Sequence, residues 1–146
     1  DSWQWEAPRV AAHVRRRSLQ NPVLYNDNGT IMLLHTSQPP WRGQSLAQIK
    51  LAMSDNWGRT FSPGKPLINR MGSFLRHPPI PSADGKELLL GLYYTPGERA
   101  KEGHATGTGF EKQHYSAVRR SSNGGETWIA NREVALSQRK QHYSAV

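Results

Sequence analysis

Arg76-His77-Pro78-Pro79 sets a guanidinium and an imidazole side by side ahead of two prolines. The planar fork of an arginine meets a carboxylate through two parallel hydrogen bonds, so Arg76 is the first candidate for holding an acidic or hydroxylated ligand. An ordinary strand-edge arginine is the competing reading. His77 offers an acid/base group, but beside Pro78 it reads more simply as a packed or hydrogen-bonded loop residue. Tyr94 and Tyr115 carry phenols that could face a ligand, although an aromatic ring in a strand is usually core. The tandem Tyr93-Tyr94 puts one ring on each face of a sheet, so one of the two is core. Other chemistries find little support. The six histidines show no close metal spacing, and no serine triad is visible. Gly103 to Gly109 lacks the Lys-Ser/Thr ending of a phosphate loop, and reads as flexible loop.

The elements that must position these residues come as a repeat. Leu19-Gln20-Asn21-Pro22-Val23-Leu24-Tyr25 reads as a short apolar strand and Asn26-Asp27-Asn28-Gly29 as a hairpin turn. Thr30 to Thr36 is a near-continuous apolar run, expected of a strand buried on both faces. A Pro- and Gly-containing loop (Ser37 to Gln44), a partly alternating strand within Leu46 to Met53 and an outer strand over Pro63 to Ile68 complete the first unit. The second unit retraces it. Phe74 to Ile80 is the first strand, Ala83-Asp84-Gly85-Lys86 the turn, Leu88 to Tyr94 the second strand and Pro96 to Gln113 a long loop. Tyr115 to Arg120 is the third strand and Ile129 to Leu136 the outer one. Pro22 and Pro78 lie 56 residues apart, as do Gly29 and Gly85. Four strands at this repeat length suggest blades.

Each unit carries one further motif: Ser54-Asp55-Asn56-Trp57-Gly58-Arg59-Thr60-Phe61 and Ser121-Ser122-Asn123-Gly124-Gly125-Glu126-Thr127-Trp128. Both fit Ser-x-Asn-x-Gly-x-Thr-aromatic. Asn tolerates left-handed backbone and bonds its own main chain, Ser and Thr hydroxyls satisfy backbone groups, and the aromatic is expected beneath the turn. The two octapeptides start 67 residues apart, and the excess of 11 over the blade repeat falls in the long second loop, rich in glycine. Loops of that kind often carry function.

The octapeptide resembles the Asp-box, or bacterial neuraminidase (BNR) repeat, of sialidase-like β-propellers, where it joins the third and fourth strands of a blade away from the active site. That family more often has Asp where Asn56 and Asn123 stand. The succession Gln20-Asn21-Pro22, Phe74 to Pro79, Tyr93-Tyr94 and His114 to Arg119 also looks like consecutive blades of that domain, over roughly residues 3 to 136. The resemblance implies an all-β, sialidase-like β-propeller, present here as about two four-stranded blades. Residues 1–17 are expected to hold the last strand of a preceding blade (Trp3 to Val10) and a polar linker at Arg15 to Arg17. Residues 18–70 and 71–136 are the blades. Residues 137–146 form a tail in which Lys140 to Val146 repeats Lys112 to Val118 letter for letter.

In a propeller the innermost strand of each blade starts near the central funnel, where ligands bind. That geometry adds Gln20 and Asn21 to Arg76 and His77 as substrate-binding candidates, with Tyr94 and Tyr115 beside them. The resemblance implies three arginines clamping a sugar carboxylate, a Tyr nucleophile activated by Glu, and an Asp acid/base; a Tyr nucleophile is a known departure from the two-carboxylate scheme. The family's Phe-Arg-Ile-Pro segment is missing, and no inner-strand Asp or Glu stands out as the general acid. The catalytic residues therefore stay open. Two functions follow: a sialidase-like glycoside hydrolase domain cleaving terminal, acidic sugars, incomplete in this chain, or a non-catalytic propeller module binding carbohydrate or protein.

Composition bounds these readings. At 146 residues the chain holds one core but is short for a closed propeller, and its open sheet sides suggest a fragment or self-association that closes the ring. The polar start without Met reads as a processed or excised piece. No apolar run approaches membrane-spanning length. With no cysteine there are no disulfides or thiolate metal sites, and no cofactor is indicated. The net charge of +8 fits either a solvated basic surface or a preference for anionic partners such as acidic glycans. No nucleic-acid module accompanies it.

Overall fold

The computed structural model describes residues 4–41, 44–68, 70–95 and 115–130. Among the described residues nine strands form two antiparallel sheets. The first sheet has the order β1-β2-β3-β4, with β1 Ser18–Asp27, β2 Thr30–Gln38, β3 Gln48–Ser54 and β4 Lys65–Pro66. The second comprises β5 Ser73–Phe74, β6 Ile80–Pro81, β7 Leu88–Tyr94, β8 Tyr115–Ser121 and β9 Ile129–Ala130; its order is β5-β7-β8-β9, with β6 also on β7. Each sheet is a meander built outward from its first strand, as in a propeller blade.

The first hairpin forms where the sequence placed it, but tighter. Asp27 pairs with Thr30, leaving a two-residue loop. Asn28 (φ 50°) and Gly29 (φ 98°) both take the left-handed backbone that a type I′ turn demands. The corresponding turn of the second blade closes on the Asp84 carboxylate, which accepts from Ser82 Oγ (2.6 Å) and Lys86 N (3.2 Å).

The core lies between the two sheets. Met32, Leu34 and Ile49 of the first sheet meet Leu88, Leu90, Leu92 and Tyr94 of the second, with Val23, Ile68, Leu75 and Trp128 closing the cluster. Each fully buried Leu, Ile or Met side chain contributes about 1.5–3 kcal/mol, so this shared layer binds the blades into one body. Met32 to Ser37 are all buried, because both faces of β2 are covered.

Three expectations are corrected. The first strand of the second blade is not continuous. Ser73–Phe74 and Ile80–Pro81 pair with opposite ends of β7, and Leu75 to Pro79 stand opposite only Leu90 to Leu92. Pro78 and Pro79 have no N–H for the ladder, so the chain leaves it there. The outer strand of the first blade shrinks from Pro63–Ile68 to Lys65–Pro66 for the same reason, although Leu67 N still reaches Ile49 O (2.9 Å). The alternation expected along β3 holds: Ile49, Leu51 and Met53 pack on the core, and Gln48, Lys50 and Ala52 line the opposite face, where Gln48 and Ala52 are buried as well. Residues 4–10, expected as a strand of a preceding blade, pair with no strand among the described residues and are exposed. The 96–113 loop, the end of the last outer strand and the duplicated tail lie outside the described residues.

Candidate functional site

The two octapeptides close on themselves in the same way. Ser54 Oγ donates to Asn56 Oδ1 (2.9 Å) and accepts from Gly58 N (2.9 Å), while Asn56 Oδ1 accepts from Thr60 N (2.9 Å). The second copy repeats this with Ser121, Asn123, Gly125 and Thr127 at 2.9, 2.9 and 3.0 Å. Asn56 Nδ2 and Asn123 Nδ2 donate to Thr60 Oγ1 (2.7 Å) and Thr127 Oγ1 (2.9 Å). Asn thus fills the place of the more usual Asp. Trp128 is buried beneath its turn with Nε1 donating to Gly125 O (2.8 Å), whereas Phe61 is only half-buried.

These turns fix which end of the blades is free for chemistry. Ser54 pairs with Ile31 and Ser121 with Leu88, so both octapeptides sit at the hairpin end. Asp27, Asp55, Asp84, Glu87 and Glu126 belong to that end as well. The other end carries Ser18 to Gln20, Thr36 to Gln38, Ser73, Tyr94 and Tyr115. The described chain leaves off after Thr95 and resumes at Tyr115, both at this end. The blades are stitched together here, with Gly72 N donating to Ala47 O (2.7 Å) and Thr95 N to Gly72 O (2.8 Å).

Between the two ends, both first strands leave the ladder at the same level. In β1 the register slips between Gln20 and Val23, so that Asn21 and Pro22 face the single residue His35, and Asn21 turns left-handed (φ 51°). By the 56-residue offset this is the place of His77 and Pro78 in the wider interruption of the second blade. Prolines at both positions enforce the departure.

The structure brings some of the candidates together and separates others. Arg76 and His77 are exposed and line a hollow of about 320 Å³ with Gly91, Tyr93, Ser116 and Val118. The Arg76 guanidinium stands 5.9 Å from the centre of the Tyr93 ring, which stacks on Phe74 at 4.9 Å. Gln20 lines a separate hollow of about 180 Å³ with Leu33 and His35, on the first blade's outer face. Tyr94 is not at a surface. It is 1% exposed within the core, under the Arg70 guanidinium (4.6 Å to the ring centre) and accepting from Arg119 (3.3 Å). The register settles the tandem tyrosines: Tyr94 shares the face of Leu88, Leu90 and Leu92, and Tyr93 is the ring beside Arg76. The backbone of Tyr115 pairs with Tyr94.

A further cavity, about 540 Å³, was not foreseen. It lies between residues 11–17 and the outer face of β2 and β3, under Phe61 to Gly64. Arg17, read from sequence as part of a solvated linker, is anchored there, with Nε donating to Ser37 Oγ (3.1 Å) and a terminal nitrogen to Ser37 O (2.7 Å). His35 is 4% exposed and its pKa is lowered, first by burial and further by the Lys50 charge, with the Thr36 backbone opposing. Lys50 is also lowered, by burial and then by Arg17. Among the described residues no group of His, Cys, Asp and Glu could hold a metal ion, and no helix is long and apolar enough to cross a membrane.

Comparison with known proteins agrees with the turns and the meanders. The model of the BNR repeat-like domain matches residues 1–143. The chain belongs to this family. Among solved structures, "Hadza microbial sialidase Hz136" superposes with a TM-score of 0.58 at 17% identity over 80% of the chain. At that identity the likeness shows the fold, a sialidase-like β-propeller. The BNR-like chain spans 24% of that protein's length. No curated protein sequence matches it.

Proposed function

We propose that this BNR-like chain is part of a sialidase-like glycoside hydrolase domain acting on terminal, acidic sugars. The observation that carries the reading is the matched break in two adjacent first strands. It supports the reading because Asn21 of one blade and Arg76-His77 of the next leave the ladder at corresponding places, in the strands that line the funnel of a propeller. Arg76 is the residue suited to a sugar carboxylate, because its fork binds both oxygens at once. Gln20 and Asn21 offer amides for hydroxyl groups. Tyr115 begins β8, and Tyr93 takes the supporting role expected of Tyr94.

Two blades do not enclose a funnel, so turnover requires further blades, supplied by more chain or by association of copies. The test is fluorophore release from a fluorogenic sialoside, run on each species separated by size and weighed by light scattering. Turnover confined to a species large enough to close a ring, and lost in Arg76→Ala, supports the reading. Turnover unchanged in Arg76→Ala removes Arg76 from the site.

A non-catalytic binding module is the second reading. It is favoured by the placement of Asp27, Asp55, Asp84, Glu87 and Glu126 at the hairpin end, which leaves Arg76 without a carboxylate partner among the described residues. A ring-sized species that binds the sialoside without cleaving it decides for that module.

A further inference from the structure

We propose that the cavity on the outer face of the first blade is a binding site for a small oxyanion, held by Lys50, His35 and Arg17. The proposal concerns this blade alone and does not rest on the glycosidase reading.

Three features converge there. Among the described residues the lining brings together two cationic side chains, Arg17 and Lys50, and two imidazoles, His13 and His35, without one carboxylate. Neither Arg17 nor Lys50 has an ion-pair partner among the described residues. Like charges gathered in a cavity repel, and among the described residues no carboxylate offsets that cost. Second, His35 Nδ1 is buried without a hydrogen bond of good geometry. A buried polar nitrogen left in this state is costly, and a turn of the ring toward a ligand oxygen in the cavity would satisfy it. Third, Arg17 is already fixed by its two bonds to Ser37, so its charge is presented without further ordering.

The chemistry selects an anion rather than a neutral ligand. Lys50 is a compact charge and Arg17 a donor fork, and a protonated His35 would add a third donor. Sulfate, phosphate and a carboxylate share what this site reads: two or more oxygens carrying negative charge. Binding would favour the charged forms of His35 and Lys50, reversing the direction in which burial and mutual repulsion push them. The cavity exceeds the volume of a single such ion, leaving space for a small body attached to it.

The experiment follows the His35 ring nitrogens of the full chain by ¹H–¹⁵N correlation. Sodium sulfate, phosphate and acetate are titrated separately, each against sodium chloride at equal ionic strength. The expected result is a saturable shift of the His35 signals with at least one oxyanion, together with a rise of the His35 titration midpoint. Lys50→Gln should weaken that binding about tenfold or more, while Lys50→Arg retains most of it. Selective response to acetate would mark a carboxylate site, and response to sulfate or phosphate a tetrahedral-anion site; both support the proposal. Shifts equalled by chloride would overturn it. So would affinity unchanged in Lys50→Gln, or absence of any response because a carboxylate of a neighbouring blade fills the cavity. If Lys50→Gln does not fold, the wild-type titration against chloride still decides.

Discussion

Single residues differ in what they cost the fold, and Trp57 is the clearest case. It holds a left-handed backbone (φ 60°) with its ring 73% exposed, where the second octapeptide has Gly124. A side chain in that conformation costs roughly 1–2 kcal/mol. Trp57→Gly is expected to raise stability by about 1 kcal/mol, less the modest contact of its ring with the hairpin at Gly29, measurable as a higher denaturation midpoint. Asn123 has the opposite balance. Asn123→Ala removes three hydrogen bonds and should cost about 1–2 kcal/mol, while Asn123→Asp, which keeps the acceptor, should stay near wild type at neutral pH. His35 sets a pH limit. Its folded pKa is lowered, so the unfolded chain takes up a proton that the folded ring resists. Stability should therefore fall as pH drops below about 6.5, the ordinary histidine value. Urea midpoints at pH 7.5 and 5.5 in chloride buffer should show the loss, and His35→Gln should flatten it.

Among the elements, the second octapeptide does more than end its own hairpin. A Cβ on Gly125 would lie 2.7 Å from Met32 Cε and 2.8 Å from its sulfur, and Met32 is wholly buried in the other blade. At Gly58 the same Cβ would meet only Phe61, at 3.7 Å. Both positions have positive φ, so Gly58→Ala should cost about 1 kcal/mol for backbone alone. Gly125→Ala should cost about 2–3 kcal/mol, the excess measuring the contact between blades. Chemical denaturation of the two variants side by side checks it. The elements also show what the sequence made legible. Both octapeptides, the Asn28-Gly29 hairpin and the Leu88 to Tyr94 strand were readable because their determinants are local. The split of β5 from β6 was visible only as Pro78-Pro79, whose effect depends on the strand opposite. Which tyrosine of the pair faces the core was hidden by the apolar run Leu88 to Leu92, which masks the parity that Leu90 and Leu92 would otherwise reveal. The cationic cavity could not be read at all, since Arg17, His35, Lys50 and Gly64 meet only after four segments fold together.

For the molecule as a whole, the shared core joining both sheets predicts one cooperative transition, with tryptophan fluorescence and far-ultraviolet dichroism unfolding at the same midpoint. Separate midpoints would mean that the blades fold independently despite Met32, Leu34, Ile49, Leu90 and Tyr94 lying in one cluster. The outer faces differ in character. One carries the basic cavity, the other the hollow of Arg76 and Tyr93.

The neutral amides of Asn56 and Asn123 give the octapeptides an acid tolerance that the usual aspartate would lack. An aspartate there would be protonated below about pH 4, replacing a charged acceptor by a carboxylic acid and weakening every bond that converges on it. An amide has no such threshold. Carried into an acidic milieu, the turns of this chain keep their hydrogen bonds intact.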